Sequence, residues 1–309
     1  MIIVFGSINV DMVFPVAHFP AAGETIESTG HDISHGGKGA NQALAAARFD
    51  TKVALVGVTG DDDIGNRMLR SLRSQGVVTS GVAKLADERT GTAVIYVDQS
   101  GENQIVISGG ANLKAHNDQL PDEVLIADHI LLLQMETPRE QIETLILRAR
   151  QNGLKIILNL APAKKISADA MKALDYLIVN ETEAAFVAEH YDIDKGRNDK
   201  DLTIAIAKHF GIDCIMTVGK NGSILARPDG QTILTPTLAL EPEQIVDTTG
   251  AGDAFCGTFA AALHTGLKVE DALKYASVAG ALACTKDGAQ SSYAYYYEIN
   301  EKVQALLPA

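Results

Sequence analysis

Short apolar runs alternate with amphipathic helical stretches along most of this chain, and that alternation restricts the fold more than any other property of the sequence. Residues 2–5, 53–58, 130–133, 155–158, 176–179 and 214–218 read as buried strands, each rich in Val, Ile or Leu and closed by polar residues or Gly. Helical periods occupy residues 38–48, 64–74, 139–151 and 202–210, with Gly76 and Gly153 standing where a helix stop belongs. Strands that are apolar on both faces, joined by helices, build a mostly parallel sheet covered on both sides, so the expectation is an α/β, doubly wound fold. The last third is helical: 254–264, ending at Gly266, then 269–285, rich in small residues, then an amphipathic 293–307.

Two segments break the rhythm. Residues 10–34 and 89–108 carry no helical period and read as extended pieces at 12–16, 25–27, 92–97 and 104–107, with turns at Gly23 and across 99–102. They are expected to form a small separate sheet, a flap able to exclude water from a reaction. His31 and His35 have the spacing of a helical metal pair, but they fall in an extended stretch, so no metal site is expected there.

Composition excludes some function classes. The 39 acidic against 26 basic residues argue against a general nucleic-acid binder, which needs a basic face to displace counterions. No apolar run approaches the length of a spanning helix, and the start shows no basic leader, so a cytoplasmic protein without membrane attachment is expected. The 3 cysteines, Cys214, Cys256 and Cys284, have neither metal nor redox spacing and read as buried small side chains.

The segment with most chemistry is Asp247-Thr248-Thr249-Gly250-Ala251-Gly252-Asp253. Gly250-Ala251-Gly252 reads as a tight turn into a helix starting near Asp253, and unpaired amides at such a helix start bind anions such as phosphate. An acidic residue there repels phosphate unless it accepts a proton from an attacking hydroxyl; the competing reading is an ordinary helix cap. Neither the Walker spacing nor the dinucleotide fingerprint is present, since Phe255 stands where the latter needs its third Gly. At the other end, Gly6-Ser7-Ile8-Asn9-Val10-Asp11 follows a strand end, and Gly36-Gly37-Lys38-Gly39-Ala40-Asn41 opens a helix, offering amides and a carboxylate to a polyhydroxyl ligand.

Taken together these segments resemble the ribokinase-like (PfkB-type) carbohydrate kinase family, closest to its ribokinase branch, over almost the whole chain. The resemblance rests on 6–11, on Gly-Gly-Lys-Gly-Ala-Asn-Gln-Ala at 36–43, Thr59-Gly60-Asp61-Asp62, Gln134-Met135-Glu136, Asn180-Glu181-Thr182-Glu183, Thr217-Val218-Gly219, 247–253 and Lys286-Asp287-Gly288-Ala289-Gln290. It implies one α/β kinase domain over 1–309 with a lid sheet inserted from about 11–34 and 89–111. By the same resemblance Asn9, Asp11, Gly37, Lys38, Asn41 and Glu136 bind the sugar. Asn180 and Glu183 organise Mg2+ and phosphates, Glu183 through water, and Thr217, Gly219 and Gly252 contact ATP. Gly250, Ala251 and Gly252 form the anion hole, and Asp253 is the base. A K+ site is implied at Asp247, Thr249, Ala283, Gly288 and Ser292, and pairing through the lids implies a homodimer.

The sequence departs from the family pattern in three places: Ser291 stands where Pro is usual after Gly-Ala-Gln, 292–297 is rich in tyrosine, and Ser277 stands where some relatives have an adenine-pocket His. The expected activity is ATP-dependent phosphorylation of a sugar primary hydroxyl, with D-ribose to ribose 5-phosphate first. The alternatives are another sugar or nucleoside (fructose, deoxyribose, adenosine-like) and a non-catalytic sugar or nucleotide sensor. Lys38 is the one obvious basic residue at the sugar end, which favours an unphosphorylated substrate.

Overall fold

The computed structural model describes residues 1–100 and 102–306. The turn expected at Gly101 and the helix end expected at Leu307 lie outside the described residues. The strands are β1 (Ile2–Phe5), β2 (Asn9–Pro15), β3 (Asp32–Gly36), β4 (Val53–Gly60), β5 (Val78–Leu85), β6 (Gly91–Val97), β7 (Asn103–Ser108), β8 (Ile130–Leu133), β9 (Lys155–Asn159), β10 (Tyr176–Asn180), β11 (Asp213–Thr217), β12 (Ser223–Ala226) and β13 (Thr232–Thr235). The helices are α1 (Lys38–Arg48), α2 (Asp63–Ser74), α3 (Arg139–Gln151), α4 (Ala168–Lys172), α5 (Glu181–His190), α6 (Asp199–Phe210), α7 (Ala251–His264), α8 (Val269–Ala283), α9 (Ala289–Ser292) and α10 (Tyr296–Leu306).

The main sheet has the order β13-β12-β11-β10-β9-β8-β1-β4-β5, parallel from β11 to β5 and closed at one edge by the antiparallel β12 and β13. Its strands alternate between two cores. Ile2 and Val4 face α1, α2, α7 and α8, whereas Ile3 and Phe5 face α3, α5 and α6. Both sets are buried, which is why the strand runs lack a polar face. From β1 the chain reaches β4 on one side, and β8 lies on the other, so the order reverses at β1 and a crevice opens beyond its carboxyl end.

The second sheet has the order β3-β2-β6-β7 and is mixed, since β2 and β6 run parallel. Here the sequence expectation needs correcting. Residues 25–27 form no strand, and β2 pairs instead with Asp32–Gly36. Asp-Ile-Ser-His-Gly has almost no strand propensity of its own and is extended because β2 offers it a ladder. Three helix starts also shift. α6 begins at Asp199 rather than 202, capped by the Asn198 side chain. α7 begins at Ala251 rather than near Asp253, and α10 begins at Tyr296 rather than 293. The tyrosines around the α10 start serve packing. Tyr293 is buried, the Arg48 guanidinium lies 5.0 Å from the Tyr295 ring centre, and Tyr296 meets Phe49 edge-on. Cys214 and Cys256 are buried, as expected, but Cys284 is only half-buried. Among the described residues no helix is long and apolar enough to cross a membrane.

Asp62 ties the small sheet to the large one. It caps α2 by accepting from the Gly65 N–H (2.8 Å), and it accepts from both the N–H (2.9 Å) and the hydroxyl (2.7 Å) of Thr90, just before β6. Asp62→Ala is expected to lower the unfolding free energy by about 2 kcal/mol. Urea titration should show this as a lower midpoint with unchanged slope.

Candidate active site

Every element that ends or begins at the crevice delivers a polar side chain. β1 leads through Ser7 to Asn9 and Asp11 on β2, and β8 leads to Gln134 and Glu136. α1 follows Gly37 and presents Lys38, Asn41 and Gln42 on its first turns, and α7 presents Asp253 on its own first turn. Gly250, with φ +79°, is the residue preceding α7 and makes no side-chain cap, so Asp253 is not the helix cap. A side chain at Gly250 would strike Tyr293 and Ala289, whereas one at Gly252 would meet nothing. The space beside the first turn of α7 at Gly252 is therefore open, as an anion site requires, although the Ala251 N–H is turned to the Thr248 carbonyl (3.3 Å).

Asp253 is 6% exposed and its carboxylate is held on both sides. Oδ2 accepts from Asn41 Nδ2 (3.0 Å) and Oδ1 from Gln42 Nε2 (2.9 Å). Behind them Gln290 Nε2 donates to Asn41 Oδ1 (3.0 Å), Gln134 Nε2 donates to Gln42 Oε1 (2.7 Å), and Gln42 Nε2 also donates to Asn159 Oδ1 (3.0 Å). Burial pushes the Asp253 carboxyl up, while Lys38 and the two amide donors pull it down.

The residues expected on the sugar side converge on the same point. Glu136 Oε2 accepts from the Ser7 hydroxyl (2.5 Å) and the Lys38 backbone N–H (3.1 Å), which pins the α1 start to the end of β8. Asn9 Oδ1 accepts from Asn112 Nδ2 (2.7 Å), which leaves the Asn9 amide N–H groups for a ligand. Burial, then Glu136 and Asp253, push the Asp11 carboxyl up to about 7, with Lys38 opposing. Lys38 itself is held up by Asp253, against burial, with Glu136 and Glu183 adding to it. The cleft thus holds more carboxylate than ammonium charge.

On the far side Asn180 and Glu183 form a capping box at the start of α5: Asn180 Oδ1 accepts from the Glu183 N–H (2.8 Å) and Glu183 Oε2 from the Asn180 N–H (2.9 Å). Burial pushes the Glu183 carboxyl up. Thr217 lies directly opposite Asn180 across β10 and β11, and Gly219 follows with φ +52°. Asp247 accepts from the N–H groups of Thr249 (2.9 Å) and Gly288 (2.9 Å), and the neighbouring Val246 N–H reaches the Cys284 carbonyl (2.9 Å), beside Ala283 at the end of α8. Ser292 is fully buried, with its hydroxyl on the Ala289 carbonyl. Ser277 is buried against Ser223, and the Ser291 hydroxyl caps back onto Asp287.

Sequence reasoning assigned no role to Ser7, Gln42, Asn112, Gln134 or Gln290. Three of these glutamines stand inside quoted motifs, but a Gln beside a motif residue has no signature until its partner is known. Asn112 reaches Ile8 and Asn9 from a turn about a hundred residues away in sequence.

Residues 1–294 match the pfkB family carbohydrate kinase profile. The chain is 37% identical to the ribokinase of Haemophilus influenzae over 294 residues, covering 94% of each chain. The fold superposes on ribokinase from Thermotoga maritima with a TM-score of 0.90 at 31% identity, covering 98% of this chain and 99% of that one. Arabidopsis thaliana ribokinase complexed with ribose and ATP gives 0.89 at 29% identity, with 98% of each chain covered.

The raised carboxyl of Asp11 sets the sign of a stability effect. A group whose value is higher in the folded than in the unfolded chain contributes stability at low pH and loses it as pH rises through the folded value, about 7. Asp11→Asn removes that loss. In thermal unfolding without ligand the variant should melt above wild type at pH 8, and the gap should close as pH falls toward about 4.

Proposed function

The chain belongs to the pfkB carbohydrate kinase family, and we propose that it transfers the γ-phosphoryl group of ATP to the 5-hydroxyl of D-ribose, giving ribose 5-phosphate and ADP. The observation that carries this reading is the buried Asp253 carboxylate, held by two side-chain amides at a helix start that is open at Gly252. Ribokinases matched along nearly their full length support ribose as the acceptor.

Asp253 takes the proton of the hydroxyl as its oxygen attacks the γ-phosphorus, and the bond to the β-phosphate oxygen breaks. The amides of 250–253 face the charge on the transferring group. Asn9, Asp11, Gly37, Lys38, Asn41 and Glu136 bind the sugar, their donors and acceptors matched to hydroxyls so that an analogue lacking one leaves a buried group unpaired. Asn180, Thr217, Gly219 and Gly252 lie along the ATP side. Glu183 would hold Mg2+ through water, because one carboxylate oxygen is tied to the Asn180 N–H and the other remains for that water. Among the described residues no group of three or more acidic, His or Cys side chains could hold a metal, which leaves phosphates and water as the main ligands, the coordination Mg2+ favours. Bound there, Mg2+ supplies positive charge to phosphate oxygens. Asp247, Thr249, Ala283, Gly288 and Ser292 are the residues that would hold K+ through oxygen atoms, and Asp247 joins Thr249 and Gly288 by its hydrogen bonds.

In this reading 1–309 act as one kinase unit, with the small sheet as its lid. The Asp11 face of that sheet, continued by Ala93 and Ile107, looks into the cleft. The opposite face carries Met12, Ile33, Val94 and Val106. Ile33 is 54% and Val106 63% exposed, on two edge strands, and an apolar face of this kind favours a second copy of the chain as its cover.

Coupled ADP-release assays over pentoses, hexoses and nucleosides should show turnover with ribose well above deoxyribose, fructose or adenosine, dependent on Mg2+ and raised by K+. Asp253→Asn should cut kcat by at least about a thousandfold with ribose binding retained; near-normal turnover would remove Asp253 from the base role. In sedimentation the wild type should run as a dimer, and Ile33→Glu combined with Val106→Glu as a monomer.

A further inference from the structure

The base is held by a second layer of amides that no sugar or nucleotide contact accounts for. Gln42 is fully buried, as is Gln134 behind it. Gln42 Nε2 donates to Asp253 Oδ1 (2.9 Å) and to Asn159 Oδ1 (3.0 Å), so its amide nitrogen is fully used. Its oxygen accepts from Gln134 Nε2 (2.7 Å), which orients the carboxamide so that it can only donate toward the base. Room for Gln134 comes from a close backbone approach. A Cβ on Gly6 would lie 2.1 Å from Gln134 Oε1, and one on Gly39 would lie 2.5 Å from the Gly6 carbonyl carbon. The end of β1, the start of α1 and the end of β8 are packed to this distance around a side chain that touches Asp253 only through Gln42.

We propose that Gln42, oriented by Gln134, is the positioning residue of the base, holding one Asp253 oxygen by a fixed amide N–H so that the carboxylate stays ionised and aimed at the acceptor hydroxyl. The inference rests on the kinase reading above. A buried carboxylate needs donors to remain charged, and amide donors supply them without a proton of their own to give up. The charged and titratable groups facing Asp253 are Lys38 from α1, Glu136 after β8, Asp11 from β2, Glu183 from α5, Tyr293 after α9 and Cys256 on its own helix. All of them remain when Gln42 is changed.

Gln42→Met and Gln134→Met are compared with wild type in ADP-release assays over pH 5 to 9, with ribose and ATP each varied. Loss of the Gln42 donor should lower kcat about a hundredfold, leave both KM values within about threefold, and move the acid limb of kcat to higher pH. Gln134→Met should move the same limb in the same direction with a loss of about tenfold, and the double variant should lose little beyond Gln42→Met alone. Should Gln42→Met fail to fold, Gln134→Met still carries the test. Unchanged kcat, or a fall without any shift of the acid limb, overturns the proposal. An inactive wild type would instead sink the kinase reading, so the two failures are told apart.

Discussion

A carboxylate buried at the first turn of α7 is the constraint around which the rest of the cleft is arranged. An isolated charge there is unaffordable in a dry interior, so its two oxygens must be met by donors from elsewhere. Asn41 and Gln42 come from α1, which requires α1 and α7 to dock side by side on one face of the sheet. Those amides are oriented in turn by Gln290 from α9 and Gln134 from the end of β8. Helix starts, strand ends and close glycine contacts are therefore parts of one requirement.

The same cleft concentrates negative charge. Asp11, Glu183 and Asp253 are all shifted toward protonation by burial, and Lys38 is the cation that faces them. Such an arrangement costs stability in the empty protein. On the proposed function, the occupants of the cleft would bring hydroxyl donors on one side and a cation with phosphates on the other, and both would relieve the unpaired acceptors.

Much of this was legible in the chain. The extents of α1 and α3 and the parallel strands follow from apolar period and glycine stops, because strands covered on both faces and helices covered on one leave distinct patterns. The motif residues Asn9, Asp11, Asn41 and Asp253 stand out because they follow a strand end or open a helix, whereas Asn180 and Glu183 are marked only by the family resemblance. By contrast β3 lies at Asp32–Gly36 rather than 25–27, and α7 begins two residues before its expected start. A weakly apolar edge strand is extended only because a partner is present, and a helix begun by a glycine in the left-handed region has no side-chain cap to announce it.

What the sequence determined by itself was the layered α/β architecture, the small separate sheet and the identity of the residues able to accept a proton or bind hydroxyls. Only the tertiary structure decided which of them act together. Gln42 and Gln134 are unremarkable residues of their motifs until β8 is laid beside β1, and Asn112 is anonymous until it reaches Asn9. Hydrogen bonds between side chains carry no periodicity along the chain, so their partners become readable only once packing has brought distant segments to within about 3 Å.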